Sequence, residues 1–169
     1  MKLEIGELDI FYLSYDEPNK EEHWADIISK FPFAKRVDGV KGFDNAHKEC
    51  AKQSDTDRFI TVDGDNIVMD DFFEQKLEFP ETDHDGNNIA ESIFSWNGKN
   101  LLNGLVYGNG GLKCWPTEYT KTIQTHEAAE DGEGMEFCWK LNYIQLNDTF
   151  SEVHQTASPF QAFRAGFRE

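Results

Sequence analysis

The chain has 169 residues, 38% hydrophobic and 14% aromatic, which is enough to build the core of one domain. Its 32 acidic residues against 16 basic ones leave a net charge of −16, a field that repels nucleic-acid phosphates and anionic membranes unless basic residues cluster locally. Three cysteines without C-x-x-C spacing exclude a disulfide framework and a thiolate zinc site, and no apolar run approaches the ~20 residues of a membrane span.

Acidic residues in the opening MKLEIGELDIFYLSYDE interrupt any signal-peptide core, so the expected location is the cytoplasm, with no membrane partner. Residues 8–15, LDIFYLSY, predict a buried strand that ends at the polar Asp16-Glu17-Pro18-Asn19. Trp24, Ile27, Ile28 and Phe31 then recur at helical spacing behind Glu21 and Glu22, which the helix dipole favours in a first turn; Phe31-Pro32 ends that helix. Residues 34–40 predict a short strand, and Gly42-Phe43-Asp44 a loop with an N-cap for a second helix running to Gln53. Residues 58–62, RFITV, predict a third strand that terminates at Asp63. The first 65 residues thus alternate β-α-β-α-β, the pattern of a parallel sheet covered by helices.

In the second half, residues 69–79 predict a short helix with Phe72, Phe73 and Leu77 inward, and 80–88 a surface loop. Residues 91–96 read as a strand, 104–111 as a glycine-rich bend, and 137–146 as a strand or a short helix followed by a strand. Ser158-Pro159 is an N-cap and first-turn pair for a last helix with Phe160, Phe163 and Phe167 on one side. The expected fold class is α/β, a single domain over residues 1–169 with a mainly parallel central sheet flanked by helices.

The strongest chemical signal is ITVDGDN, residues 60–66, where an apolar strand delivers two carboxylates to its C-terminal end, the end at which open α/β sheets bind ligands. Residues two apart in an extended segment point the same way, so Asp63 and Asp65 can converge on one Mn²⁺ or Mg²⁺ ion, with Gly64 leaving room for a phosphate that the ion would bridge. Asp-Gly is also a hairpin-turn dipeptide, which gives the same residues a purely structural reading. A calcium loop is excluded although Glu74 falls twelfth from Asp63, because Ile67 and Val68 stand where a ligand and a turn glycine are needed. Tyr107-Gly108-Asn109-Gly110-Gly111 lacks the spacing of a dinucleotide fingerprint; Gly110 and Gly111 either shape a sugar or acceptor pocket or simply link strands. Lys35, Arg36 and Lys41 form a basic cluster that either steadies a diphosphate or is plain surface charge.

The strand at 8–15, the helix at 44–53 and DRFITVDGDN resemble the nucleotide-binding half of GT-A fold glycosyltransferases, and LSYDEPNKEEHWADI, FPFAKRVDGVKG and TASPFQAFRAGFRE are similar to glycosyltransferases encoded by tailed bacteriophages. The resemblance implies a compact GT-A-like, Rossmann-type domain in which residues 1–66 bind nucleotide and residues 67–169 serve the acceptor and complete the metal site. It maps the D-x-D motif onto Asp63 and Asp65, base and ribose contacts onto Ser14, Tyr15 and Asp16, and the diphosphate and sugar lining onto the segment from Gly42 to His47, including Asp44 and His47. It further implies a general base at Glu130 or Asp131, with Glu136 behind, and a metal-completing histidine at His154. Each of those acidic residues has the alternative of an exposed loop carboxylate, and His154 that of a structural histidine.

The implied function is metal-dependent transfer of a sugar from a nucleotide sugar, UDP being the expected nucleotide, to a hydroxyl on a hydroxymethylated base of phage DNA, a glycan or a small molecule. The host cytoplasm is then the expected location. Lys113, Arg164 and Arg168 would have to gather on one face for DNA to bind a chain this acidic. Two other classes share these features: a catalytically silent acidic interaction protein, and a nucleotidyltransferase that consumes a nucleoside triphosphate. Relatives of this kind continue beyond the phenylalanine helix, so a reduced or missing acceptor region is expected, with a partner subunit, a shortened chain or lost activity as its consequences; a second copy is a further expected partner.

Overall fold

Alternating side chains on two strands set the architecture. In the computed structural model, which describes residues 1–108, 110–125 and 142–168, strands β2 (Asp9–Ser14) and β4 (Arg58–Asp63) run parallel, with Ile10 opposite Ile60. Ile10, Tyr12, Ile60 and Val62 face one side of the sheet, and Phe11 and Phe59 face the other, as a period of two requires. Helix α1 (Lys20–Lys30) covers the first side with Ile27 and Trp24, and α2 (Phe43–Gln53) covers the second with Phe43, Cys50 and Ala51. Strand β3 (Lys35–Asp38) lies on the outer side of β2, so the order β3-β2-β4 reverses direction between β2 and β4. That reversal opens a crevice at the C-terminal ends of the strands.

Strands from the second half extend the same sheet. Beyond β4 come β9 (Leu112–Pro116), β7 (Ile93–Asn100), β10 (Tyr143–Val153) and finally β5 (Asn66–Val68), with β8 (Val106–Tyr107) paired to β7. Pairing is parallel through β3-β2-β4 and β7-β10, and antiparallel where β9 joins β4 and β7 and where β5 joins β10. β4 and β5 are separated by two residues in the chain, yet β9, β7 and β10 stand between them in the pairing order. The sheet therefore curls, with two register shifts in β10 helping it bend, and the Asp63-Gly64-Asp65 turn bridges the curl.

The α/β class, with helices on both faces of a central sheet, agrees with the sequence, and two local readings are corrected. Residues 69–79 form a single 3₁₀ turn (Asp70–Glu74) followed by β6 (Lys76–Glu78), which pairs with β1 (Lys2–Glu4). Phe72 nonetheless points inward, its ring 5.1 Å from Trp96 and 5.6 Å from Phe150. Residues 112–116, not read as a strand, form β9, and every one of its five residues is buried. In the final helix α4 (Pro159–Arg168), Ser158 caps Gln161 as expected, and Phe160, Phe163 and Phe167 are 66%, 69% and 84% exposed. A one-turn helix α3 (Thr117–Thr120) follows β9, and no helix among the described residues is long and apolar enough to cross a membrane.

Because Phe72 is fully buried among aromatic rings that meet it edge-on or tilted, Phe72→Ala leaves a cavity that its neighbours cannot fill. Urea denaturation should show a loss of about 3–5 kcal/mol.

Candidate functional site

The carboxyl end of β4 runs straight into a turn whose backbone is clamped from several directions. The Gly64 carbonyl accepts from the Tyr12 hydroxyl at 2.8 Å and from Nδ1 of His23 at 3.0 Å. Asp63 donates its N–H to the Gly111 carbonyl at 2.9 Å, and the Asp65 carbonyl accepts from the His154 N–H at 2.7 Å. Tyr12 is fully buried and His23 3% exposed, so water competes little for these bonds. Burial and the nearby Glu17 carboxylate push the Tyr12 phenol up, which keeps it a neutral donor. Because His23 donates from Nδ1 to a carbonyl, its neutral ring has a fixed tautomer, and burial holds its pKa below the usual histidine value.

Side chains on this turn face two clefts. The first, about 220 Å³, lies at the β2/β4 crevice and is walled by Ser14, Tyr15, Val37, Phe43, His47 and the turn itself. The second, about 390 Å³, lies on the other side, against Tyr107, the glycines at 108, 110 and 111, and Gln155. Asp63 and Asp65 line both. A smaller depression of about 100 Å³ reaches Asp65 from Asp16, Phe160 and Arg164. Neutral amides orient the Asp65 carboxylate: Asn66 Nδ2 donates to one oxygen at 2.7 Å and Gln155 Nε2 to the other at 3.2 Å. A carboxylate offers about four lone-pair sites, so these two bonds leave it able to ligate a cation. Hard oxygens on a short turn are the donor set that Mg²⁺ or Mn²⁺ takes.

Of the residues predicted to bind a nucleotide sugar, the structure gathers Ser14, Tyr15, His47, Asp63 and Gly64 at the first cleft, and Gly110 and Gly111 at the second. Ser14 is 6% exposed and its hydroxyl is engaged, donating to Asp38 at 2.6 Å and accepting from Arg36 Nε at 3.1 Å. That hydroxyl and the Lys20 ammonium hold the Asp38 carboxyl below its ordinary range. Asp16 lies outside the first cleft, paired with Arg164 at 3.2 Å, and Lys41 is exposed beyond it. Asp44 is neither the N-cap, which is Gly42, nor part of the cleft wall; it is 3% exposed and accepts from the Thr125 N–H and hydroxyl, tying α2 to the segment after α3.

The space beside Gly64 is occupied by protein, since an added Cβ would lie 2.9 Å from the Leu13 carbonyl and 2.8 Å from the Glu17 carboxylate. His154 meets the turn through its backbone, while its ring packs edge-on to His23 at 5.1 Å with Nε2 3.7 Å from Glu152. Among the described residues no three His, Cys, Asp or Glu side chains are arranged to hold a metal, so the expected Asp63, Asp65 and His154 trio is not assembled. Glu130, Asp131 and Glu136 lie outside the described residues. The basic cluster is dispersed: Lys35 pairs with Asp9 at 2.8 Å at the opposite end of the strands, and Arg36 holds Glu21 with two bonds of 2.7 and 2.8 Å. Lys113 is 6% exposed, its ammonium 2.5 Å from the Gly110 carbonyl, which removes it from any nucleic-acid face.

Sequence reasoning missed Glu17, Asn66 and Gln155. Phe43, Ala46 and His47 line the first cleft together, and their i, i+3, i+4 spacing on one helix face was the signal available for them.

No protein-family model matches the chain, and no curated protein is significantly similar to it. Among solved structures, a glycosyltransferase involved in glycosylation of the major capsid of PBCV-1 matches at 12% identity and a TM-score of 0.46, over 94% of this chain and 98% of that one. HddC from Yersinia pseudotuberculosis matches at 15% identity and 0.44, over 94% and 77%. A protein from Bacillus anthracis assigned as a glucose-1-phosphate thymidylyltransferase matches at 16% and 0.44, over 95% and 75%. These are distant likenesses, below the similarity at which function transfers between proteins.

Two measurements probe the clamp. Gly64→Ala forces a Cβ against the Leu13 carbonyl and should cost about 1–3 kcal/mol in urea denaturation. The His23 pKa is lower folded than unfolded, so its neutral form contributes stability that is complete above the unfolded value of 6.5 and is lost as pH falls below it toward the folded value. Melting curves from pH 7.5 down to 5 should show the parent losing stability more steeply than His23→Gln; parallel curves would remove His23 from the clamp.

Proposed function

We propose that the chain is a glycosyltransferase that uses a nucleotide-sugar donor and a divalent cation, Mn²⁺ or Mg²⁺, held by Asp63 and Asp65. The observation that carries this reading is their position: one clamped turn, at the carboxyl end of a central parallel strand, walls the switch-point cleft and the cleft beyond it. Such a cation, when bound, neutralises charge on a diphosphate leaving group.

The chain's own residues account for the remaining parts. Val37, Val40 and Phe43 give the first cleft an apolar wall suited to a nucleoside base, and half-exposed Tyr15 stands at its mouth. Asn66 and Gln155 hold the Asp65 carboxylate oriented before any ligand arrives, which lowers the cost of binding. Glu130 or Asp131, with Glu136 behind, is proposed as the base that takes the acceptor proton.

The test is a thermal-shift screen of UDP- and GDP-sugars with and without Mn²⁺ on the parent and on Asp65→Ala. One donor class should raise the parent melting temperature by about 5–10 °C at about 100 times its dissociation constant, and only with metal. Asp65→Ala should lose that shift. Equal shifts in the two proteins would overturn the site, and release of pyrophosphate from a nucleoside triphosphate and a sugar phosphate would move the chain to the nucleotidyltransferases.

A further inference from the structure

The second cleft differs in chemistry from the first. Tyr107, the amides of Asn66 and Gln155, and a floor of glycine backbone line it beside the two aspartates, and its described lining includes no lysine or arginine. Lys113 is turned to the Gly110 carbonyl beneath the loop, and Arg164 pairs with Asp16. A polyanionic acceptor entering here would find no lysine or arginine in the described lining to neutralise its phosphates.

An uncharged polyol fits the same walls. Amide and carboxylate groups exchange hydrogen bonds with hydroxyls, and an aromatic ring packs against the apolar face of a sugar. Asn66 adds a specific demand. It is 3% exposed and donates through Nδ2 to Asp65, and its Oδ1 has no partner. Turning the amide over would set that oxygen against the carboxylate, so the acceptor stays unsatisfied at the cleft wall. A hydroxyl that reaches this buried oxygen can supply the missing donor, and a phosphate oxygen cannot.

We propose that this cleft is the acceptor subsite and that the acceptor is an uncharged, hydroxyl-rich glycan; the assignment of an acceptor rests on the transferase reading above, the glycan chemistry on the cleft itself. In the step this implies, a glycan hydroxyl oxygen forms a bond to the anomeric carbon of the donor sugar. The bond from that carbon to the diphosphate oxygen breaks, its electron pair leaving with the nucleoside diphosphate, and the hydroxyl proton passes to a base.

Saturation-transfer NMR on the full chain tests it, using neutral gluco-, manno- and galacto-oligosaccharides and a duplex carrying 5-hydroxymethylcytosine, each with and without UDP and Mn²⁺. A neutral oligosaccharide should bind, and Tyr107→Ala should weaken it about tenfold while leaving UDP affinity within about twofold. Tyr107→Phe, which keeps the ring, should restore it. Should Tyr107→Ala fail to fold, broadening of the oligosaccharide resonances by Mn²⁺ in the parent places the ligand beside the turn without any substitution. UDP binding accompanied by duplex binding alone, or by no oligosaccharide binding, overturns the glycan inference and leaves the transferase reading standing. Oligosaccharide binding at the cleft without any nucleotide-sugar binding keeps the glycan site and removes the transferase.

Discussion

The carbonyl of Gly64 is where the structure and its proposed chemistry meet. Two buried donors, the Tyr12 hydroxyl from the central strand and the His23 ring from α1, converge on that one oxygen. Flanking it, the Asp63 amide is tied to β9 territory at Gly111 and the Asp65 carbonyl to the end of β10 at His154. Four separate parts of the chain thus agree on the position of three residues. A turn held this way presents its carboxylates without reorganisation, the condition under which electrostatic stabilisation is most effective.

The same turn bridges the curl of the sheet. A flat arrangement would let β4 and β5 pair as a hairpin, the structural alternative that Asp-Gly suggests. Instead β5 crosses to pair with β10, and three strands fill the gap between. Glycines make the closure possible: a Cβ on Gly110 would sit 2.7 Å from the Gly98 nitrogen and 2.8 Å from the Trp96 carbonyl, and one on Gly111 would sit 2.9 Å from the Asp63 Cβ. Glycine at these positions therefore serves close backbone approach between the β8–β9 segment, β7 and the turn.

Charge placement follows the same division. Basic side chains that composition could have assigned to a phosphate site are largely used inside the fold. Arg58, 4% exposed, donates to the Ala90 and Ser92 carbonyls and lies 4.6 Å over the Phe94 ring, so carbonyl dipoles and a π face take the place of a carboxylate. Arg36 braces Glu21 against β3 and Lys113 supports the glycine loop. The described walls of the two clefts contain no lysine or arginine.

Sequence alone determined the β-α-β-α-β order of residues 9–63, the capped last helix and the delivery of two carboxylates to a strand end, because strand alternation, helical spacing and capping act within a few residues and are written locally. Tertiary structure decided the rest. β9 is buried on both faces, so its residues carry no alternation to read, and β6 takes its strand form only from pairing with β1, more than 70 residues away. The partners of the turn are equally distant: Gln155 reaches Asp65 across 90 positions and His23 reaches Gly64 across 41. Asp44, read as a ligand contact, became a buried staple whose carboxylate accepts from both the N–H and the hydroxyl of Thr125. Hydrogen-bond partners at such separations are chosen by how the sheet curls, a property of the whole chain that no short window of residues encodes.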